Sequence, residues 1–148
     1  MQQKRISRGR PKLTRVSEEM KRLAELLEAE MLAWPNVTSR PMFGLNGIYR
    51  GSNIFAVLPR TRAMDVPDSI AFRLLKRPQN IIDELRNDER IVPSTAEAKW
   101  ISFVMESDSE IHAALKWLAL AYREAALPQK QQSALGSGQY KERYRLGQ

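Results

Sequence analysis

Two periods of hydrophobic spacing alternate along the chain. Met20, Leu23, Ala24, Leu27, Met31 and Trp34 recur at steps of three and four, the buried stripe of an amphipathic helix. Ser17 stands before it as an N-cap, and Glu18 and Glu19 suit the positive end of its dipole. Pro35 ends it, because the residue before a proline avoids helical angles. From Val37 to Leu74 the helical step gives way to short runs between turn residues. Residues 40–43, 47–50, 54–58 and 69–74 read as strands, with Asn46-Gly47 and Gly51-Ser52-Asn53 as hairpin signals. The looser connection over 59–67 leaves room for a further short strand at 63–66.

After this meander, Pro78 opens a short helix whose apolar face is Ile81, Ile82 and Leu85. Residues 100–105 alternate with apolar side chains on both faces, which predicts a strand in the middle of a sheet. Ser107 and Glu110 form a capping box. Ile111, Ala114, Leu115, Leu118, Tyr122 and Ala125 then follow on one helical face until Pro128. Two amphipathic helices need one apolar surface to cover. The pattern therefore predicts an α+β fold: an antiparallel β-meander sheet covered by N- and C-terminal amphipathic helices, in two layers. The predicted domain spans residues 17–128, between disordered tails at 1–16 and 129–148.

Composition narrows the function classes. The 148 residues suit one domain, and 43% hydrophobic and 28% charged residues are ordinary for a globular protein. No cysteine is present, which excludes disulfides, thiolate metal sites and a cysteine nucleophile. No apolar run approaches the roughly 20 residues of a membrane helix, and no apolar segment of a secretory signal follows the basic N-terminus. The expectation is a cytoplasmic protein without membrane contact.

The net charge of +7 is unevenly spread. Residues 1–16 hold six bases (Lys4, Arg5, Arg8, Arg10, Lys12, Arg15) and no acid, and residues 129–148 hold four bases and one acid. The intervening segment has 14 bases and 16 acids. Basic arms on a near-neutral core point to tethering rather than to a basic groove within the core.

Several segments match known families. Pro41-Met42-Phe43-Gly44, Gly47-Ile48-Tyr49 and Ile54-Phe55-Ala56-Val57 resemble the Met-Phe-Gly meander of the TfoX N-terminal domain family, which is similar in turn to the YjbR-like proteins. Trp34-Pro35-Asn36-Val37, residues 81–93, and Lys99-Trp100-Ile101-Ser102-Phe103 through Ala121-Tyr122-Arg123 resemble the bacterial luciferase-like domain family, whose name implies no light emission. The resemblances cover residues 20–125. They imply a compact α+β fold, a tie to transcription or competence, and no catalytic residues. The mid-domain histidines of the luciferase-like family have no counterpart here.

The sharpest motif lies outside the predicted core. Arg8-Gly9-Arg10-Pro11-Lys12 resembles the core of an AT-hook. Glycine lets an extended backbone approach the floor of a narrow A·T minor groove, proline holds the curve, and the arginines seek its negative potential. Lys4, Arg5 and Arg15 would add phosphate contacts. The same residues also suit a solubilising tail. The C-terminal Tyr140, Lys141, Arg143, Tyr144 and Arg145 interleave aromatics with bases, and fit either a solvated tail or a stacking strand for single-stranded nucleic acid.

Other candidates are weaker. His112, the only histidine, falls on the polar face of its helix with Asp108 and Lys116, and no transition-metal site or other cofactor is expected. Asp83-Glu84 and Asp88-Glu89 diverge by about 100° on a helix and do not converge on a reacting atom. No serine has a His or Lys partner at motif spacing. Gly44-Leu45-Asn46-Gly47 lacks the Gly-Lys-Ser/Thr ending of a phosphate loop. Trp34, Trp100, Trp117 and Tyr122 have core spacing, except that Trp117 lies beside the main stripe, where it would mark an exposed partner surface. These readings converge on a non-enzymatic DNA-associated protein, an accessory transcription or competence regulator, with a protein partner on its core. The alternative is a small-molecule or protein-binding module with a solubilising arm.

Overall fold

The first helix, α1 (Glu18–Leu32), is capped as its sequence predicts: Ser17 Oγ accepts the Met20 N–H at 3.1 Å. In this computed structural model, which describes residues 14–126, the chain continues through β1 (Val37–Met42), β2 (Leu45–Arg50), β3 (Asn53–Pro59) and β4 (Ser69–Phe72). Then follow α2 (Gln79–Asn87), β5 (Ile101–Val104) and α3 (Ile111–Glu124), with single 3-10 turns at Pro93–Thr95 and Asp108–Glu110. The five strands form one open sheet in the order β1-β2-β3-β4-β5, every neighbour antiparallel. With the helices this makes a two-layer α+β fold.

One sheet face carries the core. Val37, Ile48, Phe55, Ala56, Leu58, Ile70, Phe72, Ile101 and Phe103 meet Met20, Leu23, Leu27 and Met31 of α1, and Ala114, Leu118 and Ala121 of α3. Each fully buried Leu, Ile or Phe among them contributes on the order of 2 kcal/mol. A bulge sharpens this face: Ile48 pairs with Ala56 but Tyr49 with Ile54, so Phe55 is an extra residue in β3. Phe55 and Ala56 consequently both enter the core. Glu28 of α1 fastens the helix to the sheet, accepting from Ser39 Oγ at 2.8 Å and Asn46 Nδ2 at 3.4 Å. At the other end of the last helix Glu124 accepts the Leu75 and Lys76 N–H groups where the chain leaves β4.

Several sequence expectations shift. Asn46-Gly47 is not a turn but the interior of β2, opposite Pro41 and Arg40; the turn is Phe43-Gly44. Residues 63–66 form no strand, and Pro78 is the N-cap of α2 rather than its first residue. In α2 only Leu85 is fully buried, while Ile81 and Ile82 are half-buried. The strand expected at the centre of the sheet, β5, lies at its edge. Its outer backbone is nevertheless satisfied, because the Val92 N–H donates to Ser102 O (3.0 Å) and the Val104 N–H to Arg90 O (2.7 Å). A strand covered this way tolerates apolar residues that a bare edge would not.

The last helix is rotated from its expected phase. Ala114, Trp117, Leu118 and Ala121 are its buried residues, while Ile111, Leu115 and Tyr122 are half-buried. Trp117 is therefore not an exposed partner surface. It is 3% exposed, its ring stacks on Phe72 at 5.9 Å, and its Nε1–H donates to Asp88 Oδ2 at 2.9 Å. That hydrogen bond explains the rotation, since an indole enters a core readily when its one donor finds an acceptor. The half-buried Tyr122 rim instead packs on Trp34 and Phe55, with its hydroxyl donating to Pro35 O at 2.9 Å.

Asp88 is a hinge of this packing. Burial disfavours its charge, but the Trp117 N–H and the backbone and side chain of Arg90 hold its carboxyl below the ordinary 3.8. A carboxyl ionised more easily in the folded state adds stability fully above its unfolded value, and that stability is lost as pH falls through the folded value. Asp88→Ala should leave the indole donor unpaired and cost about 1–3 kcal/mol at neutral pH. Denaturant melts from pH 7 to pH 2 should show that the variant has lost part of the acid-dependent fall seen in the parent chain.

Candidate nucleic-acid interface

Residues 14–16 are where the basic arm meets the fold. They were expected to belong to a mobile arm, but they pair with the segment leaving β3. The Ala63 N–H donates to Thr14 O at 2.7 Å and the Val16 N–H to Thr61 O at 3.2 Å, around an antiparallel Arg15–Arg62 bridge. Val16 also packs against the core, which rewards this ordering. The arm is thus rooted beside the β1–β2 turn, at one end of the sheet.

That end is built around one carbonyl. Gly44 O accepts the N–H groups of Arg60, Thr61 and Arg62 at 3.1, 2.9 and 3.1 Å. Three successive backbone donors converge on it, as in a backbone nest that holds an anion. Arg62 Nη1 donates in addition to Phe43 O at 3.1 Å. Gly44 is required there: its φ is +84°, and a Cβ would lie 2.9 Å from the Arg62 Cβ.

Four arginines gather around this turn. Arg15, Arg40 and Arg60 are exposed and Arg62 half-buried. The Arg40 guanidinium lies 4.4 Å from the Tyr49 ring centroid, a cation–π contact that leaves the charge uncompensated. Ion pairs occur elsewhere, as Arg22 with Glu19 and Asp108, Arg86 with Glu97, and Arg90 with Asp88. None of the four arginines forms one among the described residues. The nearest acids along the chain are Asp65, which is exposed, and Asp68, which accepts from Ser17 Oγ. Four unpaired cations at one end of a domain that is net acidic form a local anion-facing patch.

Of the residues expected to contact DNA, only Arg15 is described. Lys4, Arg5, Arg8, Gly9, Arg10, Pro11 and Lys12 lie outside the described residues, as do Tyr140, Lys141, Arg143, Tyr144 and Arg145. Arg40, Arg60 and Arg62 escaped the sequence reading because they lie in β1 and in the loop after β3, far along the chain from Arg15. His112 is exposed on α3, and no cluster of three metal-ligating side chains occurs among the described residues. No helix among them is long and apolar enough to cross a membrane.

The sheet face away from the helices is a second surface. Met42, Gly47, Tyr49 and Ile54 meet there, since a Cβ on Gly47 would lie 3.1 Å from side-chain atoms of the other three. Gly47 pairs with Val57, Val57 with Ala71, and Ala71 with Ser102, a row of small residues across the middle of that face. Met42, Ile54 and Val104 are half-buried there, while Tyr49, Val57 and Ala71 are buried although they lie outside the core that receives the helices.

No protein-family model, curated protein or solved structure matches this chain. The geometry of the site therefore carries the functional argument.

Two glycine substitutions test how the tip is built. Gly44→Ala combines a positive φ with a close Cβ contact, whereas Gly51→Ala, at φ +61°, meets nothing within 4 Å. The second should cost about 1 kcal/mol from backbone strain alone, and the first clearly more. Thermal melts of both variants compare the two directly.

Proposed function

We propose that this chain is a non-enzymatic DNA-associated protein, acting as an accessory regulator of transcription or competence. The hook-like Arg8-Gly9-Arg10-Pro11-Lys12 lies in an A·T-rich minor groove, with Lys4, Arg5 and Arg15 on flanking phosphates. The observation that carries this reading is the pairing of Thr14 and Val16 with Ala63 and Thr61, which roots the arm among Arg15, Arg40, Arg60 and Arg62. A merely solubilising tail needs no anchorage beside unpaired cations. The core's remaining surface is left for a protein partner, in keeping with the TfoX-like pattern at residues 41–44.

A second reading has one observation in its favour, the sheet face away from the helices, where Met42, Ile54 and Val104 are half-buried. There the domain would bind a small molecule or protein, and the arm would serve solubility.

Salt dependence separates the two. Six phosphates neutralised by the bases of residues 1–16 give a log–log slope of about −5 for an A·T-rich duplex. Arg8→Ala/Arg10→Ala in the full chain should flatten the slope by about 2 and abolish preference for A·T over G·C. Weak binding that is equal in parent and variant contradicts the DNA reading.

A further inference from the structure

The β1–β2 turn holds a residue that neither its backbone nor its packing calls for. Met42 pairs with Leu45, leaving a two-residue loop of Phe43 and Gly44 with φ values of 53° and 84°. Two positive φ angles define a type I′ turn, whose first position favours Asn, Asp or Gly because a side chain with a Cβ is strained there. Phenylalanine is among the poorer choices. Its ring gains nothing from the fold in return: Phe43 is 68% exposed, the most exposed large hydrophobic residue described. The others, Leu26 and Leu32, belong to α1.

Its surroundings are cationic. The Phe43 carbonyl is held by Arg62, the next residue's carbonyl by the Arg60, Thr61 and Arg62 N–H groups, and Arg15 bridges to Arg62. The exposed aromatic therefore stands beside Arg62, with Arg15 and Arg60 on the backbone segments bonded to its turn. A protein-docking aromatic gathers apolar neighbours, whereas an exposed ring on a turn flanked by cationic residues suits a partner that is anionic outside and flat and apolar inside. Double-stranded DNA has that construction, and minor-groove proteins insert apolar wedges between base steps while basic groups hold the backbone. Position agrees with chemistry. Thr14 is bonded to Ala63 at this same tip, and Pro11 stands three positions before it, a reach of at most about 10 Å. A duplex held by the hook core lies against the Phe43 tip.

We infer that Phe43 is a wedge that enters a base step of A·T-rich duplex DNA, with Arg15, Arg40, Arg60 and Arg62 on the adjoining phosphates. The inference rests on the proposed DNA function and adds a second contact to it, one made by the folded domain. Insertion unstacks the step and bends the duplex away from the protein, so the chain is an architectural binder as well as a tethered one.

The test uses the full chain and an A·T-rich duplex labelled at both ends for energy transfer, with 2-aminopurine within the site. The parent chain should bend the duplex by about 20° or more and raise the 2-aminopurine emission. Phe43→Asn replaces the ring with a residue the turn prefers, so its melting temperature should equal or exceed the parent's. That variant should lose the bend and the emission rise while keeping hook-dependent, salt-sensitive binding. Arg60→Ala should instead reduce the salt slope by about 1. Bending and emission that survive Phe43→Asn, or a parent chain that binds through its hook without bending, overturn the wedge and leave the arm's role intact. Absence of hook-dependent binding, read from Arg8→Ala/Arg10→Ala, overturns both.

Discussion

The Gly44 carbonyl joins the β1–β2 turn to the chain leaving β3, and the arginine-bearing end of the sheet depends on that junction. A carbonyl has two lone pairs, yet three N–H groups share this one, so the loop can close on it only with Arg60, Thr61 and Arg62 in one compact bend. The bend in turn offers the backbone of residues 61–63 to residues 14–16. Removing the carbonyl's position, as any residue with a Cβ at 44 does, disturbs the turn, the bend and the root of the arm together. A single backbone acceptor thereby fixes where the basic arm leaves the fold and which arginines surround it.

The two faces of the sheet divide the remaining labour. The helix face supplies stability: α1 and α3 lie on it, the bulge at Phe55 thickens it, and Asp88 holds Trp117 in it. The opposite face mixes buried Tyr49, Val57 and Ala71 with half-buried Met42, Ile54 and Val104, and Gly47 stays small because Met42, Tyr49 and Ile54 crowd its position. Arg40 lies on this second face, its guanidinium over Tyr49. Folding stability and the arginine charge are thus carried largely by different side chains, so the exposed arginines can be altered without touching the core.

Much of the fold was legible in the sequence because its signals are local. Ser17, the Met20-to-Met31 stripe, the strands around Ile48 and Ala56, and the Glu110 carboxylate over the Ser107 N–H are all fixed by near neighbours. The misreadings have long-range causes. The phase of α3 depends on an Asp88 acceptor 29 residues from Trp117, and the edge position of β5 is tolerated because residues 90–92 cover it. Asn46-Gly47 has the composition of a hairpin turn, but the turn went to Phe43-Gly44, where the closing bonds come from residues 60–62. Of the proposed site, the sequence offers the hook motif alone, and that motif lies outside the described residues. Its folded half is assembled from Arg15, Arg40, Arg60 and Arg62, which no sequence window contains, and its one local sign was a phenylalanine placed before a turn glycine.

The central claim is that arm and tip face the same duplex, and the absence of cysteine makes it directly measurable. A photo-crosslinker on Thr61→Cys, at the root of the arm, can be compared with one on Ser52→Cys in the opposite hairpin. Both side chains are exposed. The account predicts crosslinks to an A·T-rich duplex from position 61 and none from position 52, with the yield at 61 falling when Arg8 and Arg10 are replaced by alanine. Equal crosslinking from the two positions, or none from 61 while the hook still binds, would contradict it.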